Sequence, residues 1–146
     1  MTIITWLLIA AVCYVISKSV FDFIRGEKKL FGVEMRERRF SSEIFYTLII
    51  TYTIVIIGFG LIYFILSFEG ILLVEGGELR QVSPIGSMIH SFYFSGVTML
   101  TIGYGDITPI GIGRLLALIE ALIGYVLPTA FVIGLVHNSN QDRARD

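Results

Sequence analysis

The chain has almost no cysteine, little histidine and no surplus of either charge. Cys13 is the only cysteine in 146 residues, which excludes a disulfide framework and a cysteine metal site. Its plain reading is a small residue buried in a membrane-protein core. His90 has no second histidine nearby to complete a metal site. A nucleophile with its base, a metal cluster and a phosphate cradle are all missing, so the chain does not read as an enzyme and calls for no cofactor. No helix repeats arginine at every third position, which argues against voltage sensing. Lysine plus arginine (11) and aspartate plus glutamate (12) nearly cancel to a formal net charge of −1, and no nucleic-acid partner is expected. The first apolar run begins Met-Thr-Ile-Ile without a basic n-region, against a cleaved signal peptide.

Apolar residues dominate what is present. At 55 % hydrophobic content and a mean hydropathy of +0.80, the chain carries far more apolar surface than a soluble core of this size would hide. It reads as an integral membrane protein, and its charges matter by where they lie.

Four segments follow in order: 1–24, 25–43, 44–137 and 138–146. The run from Met1 to Val20, with Trp6 near its start and Lys18 near its end, reaches the roughly 20 residues needed to span. Two readings stand: an extra transmembrane helix with Lys18 snorkelling to the interface, or, given Asp22 close behind, an amphipathic helix on the inner face. Between Arg25 and Glu43, six basic residues (Arg25, Lys28, Lys29, Arg36, Arg38, Arg39) mark a cytoplasmic linker. Interspersed Glu27, Glu34, Glu37 and Glu43 suit a helix with paired charges as well as a lipid-headgroup contact. Ser41 or Ser42 can cap the next helix. Ile44 to Phe68 is free of charge for about 25 residues, or roughly 37 Å of helix, with Tyr46, Tyr63 and Phe68 placed as interfacial aromatics and Gly58 and Gly60 as points of close packing. Glu75-Gly76-Gly77-Glu78 between two short apolar runs predicts an extracellular hairpin within 69–86.

Ser83-Pro84, or Ser87, can open a helix that reaches Leu100 after at most about 17 residues, too short to span. It ends on Thr101-Ile102-Gly103-Tyr104-Gly105-Asp106, where glycines alternate with larger residues. Such alternation can hold an extended backbone whose successive carbonyls point one way. Ile107-Thr108-Pro109 and Gly111-Ile112-Gly113 form a turn-rich return. A second charge-poor helix runs from Arg114 to about Val136, and the tail carries Arg143 and Arg145.

This arrangement closely resembles the signature filter and pore of tetrameric potassium channels of the two-helix, inward-rectifier-like type, over roughly Ile44 to His137. The resemblance implies an all-α membrane protein: a helix, pore helix, filter loop and helix, with an extra N-terminal helix, assembled as a fourfold homotetramer in the lipid bilayer. It implies K+ held by Thr101, Ile102, Gly103 and Tyr104, with Gly105 completing the filter and Asp106 bracing its outer mouth. Gly124 matches the family's hinge glycine by its spacing from Gly113-Arg114. Gly124, Pro128, Val132, Gly134 and Val136 are the hinge or gate candidates, and Tyr125 and Thr129 the cavity candidates; Tyr125, Pro128, Thr129, Val132 and Val136 recur at spacings that place most of them near one helical face. The uncharged Thr129 stands near the place where inward rectifiers hold blocking polyamines, which argues against strong rectification.

The chain departs from the family at Leu100, Val97 and Glu120. An ionisable group inside a spanning helix is costly and by default a functional candidate; Glu120 either bonds to the pore helix or a neighbouring chain, or lines the permeation path. The resemblance gives no gating stimulus. A weakly selective cation channel and a non-conducting assembly subunit are the rival functions. A bacterial plasma membrane is the expected location, with 25–43 and the C-terminus cytoplasmic and 69–86 and the filter mouth extracellular.

Overall fold

The computed structural model describes residues 3–25, 29–30, 33–34, 40–68, 70, 73–75 and 83–143. Helices α1 (Ile3–Arg25), α2 (Phe40–Ser67), α3 (Pro84–Met99) and α4 (Ile112–Arg143) carry the architecture. Short strands β1 (Lys29–Leu30) and β2 (Val33–Glu34) form one antiparallel ladder, and β3 (Leu73–Glu75) and β4 (Ile107–Pro109) another. The fold is the all-α membrane architecture that the hydropathy pattern predicts. Thr5–Arg25, Phe45–Ser67 and Ile112–Ile133 are each long and apolar enough to cross a membrane. By contrast α3, at 16 residues, extends about 24 Å at roughly 1.5 Å per residue, short of the hydrocarbon layer.

Helix α2 is the hub. Its apolar character runs around its whole circumference, so its small residues decide where neighbours approach. A Cβ at Gly58 would lie 2.6 Å from Ile16 Cδ1 of α1, and one at Gly60 would lie 2.7 Å from Phe92 Cδ1 of α3. The expected glycine packing is therefore present, with one glycine for each neighbour. Phe59, Ile62 and Tyr63 of α2 build the core with Phe94 and Met99 of α3 and Leu127 of α4. The Tyr63 and Phe94 rings meet edge to face at 5.2 Å.

Several local expectations change. Helix α2 starts at Phe40, so Ser41 and Ser42 lie inside its first turn and do not precede it. Of the described residues in the 25–43 linker, Arg25 ends α1 and residues 40–43 open α2, with the β1–β2 ladder between them; Lys28, Arg36, Arg38, Arg39, Glu27 and Glu37 lie outside the described residues. The expected hairpin partner of β3, residues 79–82, and the Gly76-Gly77 turn also lie outside them. β3 pairs with β4 in the register Leu73↔Pro109, Val74↔Thr108 and Glu75↔Ile107, burying Val74 and Ile107. This ties the segment between α2 and α3 to the stretch that follows Asp106. Helix α4 begins two residues before Arg114 and continues to Arg143, turning most of the expected tail into helix. Cys13 is exposed, one residue off the Val12 and Ile16 stripe that receives Gly58. Tyr63 is fully buried and not an interfacial aromatic, because its hydroxyl has a partner inside the protein.

Candidate functional site

Helix α3 is capped as its sequence predicts. Ser83 precedes it with extended backbone, its side-chain oxygen accepts from the Gly86 N–H at 3.2 Å, and Pro84 occupies the first turn, where no N–H is needed. Its far end passes directly into the glycine signature. The Leu100 N–H donates to the Gly96 carbonyl and the Thr101 N–H to the Thr98 carbonyl, both at 3.0 Å. The Ile102 and Gly103 N–H groups then both donate to the Val97 carbonyl, at 2.9 and 3.1 Å. A non-helical strip of backbone is thus anchored by its amides to the last turn of α3, leaving its carbonyl side uncommitted by these bonds.

The backbone of the strip alternates. φ is positive at Thr101 (57°), Gly103 (56°) and Gly105 (79°), while Ile102 and Tyr104 between them are in the ordinary negative range. Glycine accepts a positive φ freely; for Thr101 it costs about 1–2 kcal/mol, a strain that a threonine does not signal by its residue type. All six residues from Thr101 to Asp106 are exposed in the single chain, Tyr104 by 70 %. At the end of the strip, the Tyr93 hydroxyl on α3 donates to Asp106 Oδ2 at 2.8 Å. That bond is the main reason the Asp106 carboxyl is held below its ordinary range, against a smaller opposing effect of desolvation.

Helix α4 meets α3 at two residues one turn apart. Glu120 is fully buried; Tyr63 of α2 donates to its Oε2 at 2.9 Å, and Ser95 of α3 is in hydrogen-bond contact with its Oε1. The same Ser95 hydroxyl lies 2.9 Å from the Ile56 carbonyl of α2. One turn on, a Cβ at Gly124 would overlap the Met99 carbonyl oxygen, so only glycine lets α4 come this close. The Tyr52 hydroxyl of α2 donates to the Gly124 carbonyl at 2.9 Å. Pro128, which has no N–H, sits inside the helix four residues on. Thr129 Oγ1 donates back to the Tyr125 carbonyl at 3.2 Å.

The remaining hinge, gate and cavity candidates sort by face. Tyr125, Pro128, Thr129, Val132 and Val136 are exposed in the single chain, while Glu120, Gly124 and Leu127 face the other helices. Gly134 lies within α4. Of the two alternatives for Glu120, the structure places it between helices of its own chain. Tyr63, Ser95, Tyr93 and Tyr52 escape the sequence reading, since each reaches its partner across thirteen to seventy-two residues. The one available sign was Pro128, which marks the Gly124 carbonyl as lacking a helical donor.

Comparison with known proteins covers the same region. A family model described as an ion channel matches residues 51–137. The chain is 38 % identical over 104 residues to Protein LctB of Geobacillus stearothermophilus, covering 70 % of this chain and 78 % of that protein. It is 37 % identical over 95 residues to Protein LctB of Bacillus caldotenax, covering 64 % and 71 % respectively. No solved structure matches.

Proposed function

Because the chain belongs to the ion channel family, with a pore of the potassium-channel-like type, we propose that it is a potassium-selective channel in which four copies place Thr101–Gly105 around one axis. The carrying observation is the alternating strip: positive φ at residues 101, 103 and 105, with the amides of Ile102 and Gly103 held by Val97. Left- and right-handed residues in alternation turn successive carbonyls to one side, and four such strips offer rings of oxygens in place of an ion's hydration shell. K+ is the permeant ion, bound by Thr101, Ile102, Gly103 and Tyr104. Conduction is passive and involves no catalytic step.

The surfaces left open suit this assembly. Ile102 and Tyr104 beside the filter, and Tyr125, Thr129, Val132 and Val136 along α4, are exposed in one chain; neighbouring copies would enclose the first pair and the second group would line an inner cavity. The carboxyl end of α3 carries a partial negative charge of roughly half an electron, which favours a cation held in the low-dielectric middle of the membrane. Gly124, Pro128, Val132, Gly134 and Val136 offer the points where α4 can bend or narrow. Lipid surrounds the outer helices, with the filter mouth outside and both 25–43 and the C-terminus in the cytoplasm.

Purified protein in liposomes carrying a potassium gradient tests the reading. Potassium flux with little sodium flux is the expected result. Comparable potassium and sodium fluxes would make the pore weakly selective, and no flux from a correctly inserted tetramer would make the chain an assembly subunit.

A further inference from the structure

The contacts around Glu120 can be counted hydrogen by hydrogen. The Tyr63 hydroxyl has one hydrogen and gives it to Glu120 Oε2 at 2.9 Å. The Ser95 hydroxyl also has one hydrogen but touches two oxygens, the Ile56 carbonyl at 2.9 Å and Glu120 Oε1. The Ile56 carbonyl can only accept, so its 2.9 Å contact with Ser95 is a hydrogen bond only if the Ser95 hydrogen points there. An ionised Glu120 has no hydrogen to give, and its contact with Ser95 would then be one between two acceptors, in a site with no exposure to solvent. A protonated Glu120 closes the count, with Oε1–H donating to Ser95 Oγ, Ser95 donating to Ile56 O, and Tyr63 donating to Oε2. Among the described residues, the two side chains that reach the carboxyl, Tyr63 and Ser95, are both uncharged, and a full charge enclosed without a counter-charge is strongly disfavoured.

We propose that Glu120 is held in this conformation as a neutral carboxylic acid and serves as a positioning residue of the pore, its proton completing a hydrogen-bond chain that runs from Tyr63 on α2 through α4 to Ser95 on α3 and back to Ile56 on α2. The chain has a short path to the filter. Ser95 stands two residues before Val97, whose carbonyl holds the Ile102 and Gly103 amides. When hydroxide takes the Glu120 proton, forming water, the single Ser95 hydrogen can serve Ile56 or Glu120 but not both, and α3 loses one of its links to the spanning helices. Conduction therefore falls on the alkaline side. Tyr63 is the titratable group facing Glu120 from α2, while the α3 neighbour, Ser95, does not titrate in this range.

Two measurements test this, and only the second rests on the channel reading. Infrared spectra of the purified full-length protein at neutral pH are expected to show the carbonyl stretch of a neutral carboxylic acid that disappears in Glu120→Gln. The stretch should move to higher frequency in Tyr63→Phe, where Oε2 loses its donor. Absence of the band from the unsubstituted protein overturns the proposal whether or not the protein conducts. In potassium-loaded liposomes, flux through the unsubstituted protein falls as pH rises above neutral. Glu120→Gln, whose amide donates to Ser95 and accepts from Tyr63, shows a flat pH profile. Glu120→Ala loses flux at every pH, by roughly tenfold, the scale of one unserved buried partner. An alkaline fall that persists in Glu120→Gln would assign the titration to Tyr63 and overturn the role given to Glu120. Failure of every variant and of the unsubstituted protein to pass potassium would count against the channel reading alone, because the infrared band decides the protonation state independently.

Discussion

The Tyr52 hydroxyl on α2 occupies the position that a backbone N–H would fill on α4, donating at 2.9 Å to the Gly124 carbonyl, four residues before Pro128. In an unbroken helix that carbonyl would receive the N–H of residue 128, which proline lacks. A freed carbonyl is hard to leave unpaired at membrane depth, where no water reaches lipid-facing backbone. Tyr52 thus makes a proline tolerable in the middle of a spanning helix.

A thermodynamic cycle follows from this substitution of donors. Tyr52→Phe is expected to destabilise the detergent-solubilised protein by about 1–3 kcal/mol, the cost of an unserved buried acceptor. Pro128→Ala restores the backbone N–H, so Tyr52→Phe in that background should cost much less. Thermal unfolding of the four proteins gives the coupling. Equal costs in both backgrounds would show that Tyr52 does not stand in for the missing donor.

The strip from Thr101 to Gly105 makes a sharper demand at Gly103, whose φ is 56°. Among the described residues no neighbour crowds a Cβ there, so the penalty for Gly103→Ala is conformational, about 1–2 kcal/mol. It adds to the strain Thr101 already carries at a φ of 57°, and the two together are expected to pull the strip out of alternation. Potassium selectivity or conduction should be lost in liposomes while the protein remains folded. A Gly103→Ala protein with unchanged potassium flux would contradict the proposed filter.

Acid acts on Asp106. Asp106 is held below the ordinary aspartate value of 3.8, chiefly by the Tyr93 hydrogen bond. A carboxyl with a lowered folded-state pKa contributes stability that is present above the unfolded value and is lost as pH falls through the folded value. The Tyr93–Asp106 link should therefore survive down to pH 3.8 and break only below it. In Tyr93→Phe the Asp106 titration moves up toward 3.8. Following the Asp106 carboxyl by NMR through an acid titration checks both the direction and the order of the two proteins.

Much of this organisation is legible in the chain and some of it is not, for reasons that can be named. The long apolar runs, the cap at Ser83-Pro84 and the packing roles of Gly58 and Gly60 depend on local pattern, and sequence carries local pattern well. The partner of Glu120 is a different matter: its cost in a membrane is visible from composition, but the choice of Tyr63 and Ser95 depends on how three helices cross. The β3–β4 ladder is not legible because Gly76-Gly77 suggests a nearby partner, whereas β3 pairs with β4 beyond α3 and the glycine signature. Tyr63 looked interfacial because a tyrosine near a helix end fits the membrane surface as well as it fits a buried hydrogen bond.

Gly124 separates two roles that its residue type alone cannot. As a hinge it would tolerate alanine with a modest change in bending, since alanine is a better helix former than glycine. As a contact surface it would not, because a Cβ there overlaps the Met99 carbonyl, part of the backbone at the end of α3. Glu120 and Gly124 on α4 meet Ser95 and Met99 on α3, each pair one turn apart, so a displacement at Gly124 also disturbs the Glu120–Ser95 contact. Gly124→Ala is therefore expected to cost about 1–3 kcal/mol, the scale of overpacking a close-packed core, and to reduce potassium flux together with thermal stability. A Gly124→Ala protein that gains stability and changes only its open probability would identify the position as a hinge and exclude the packing role.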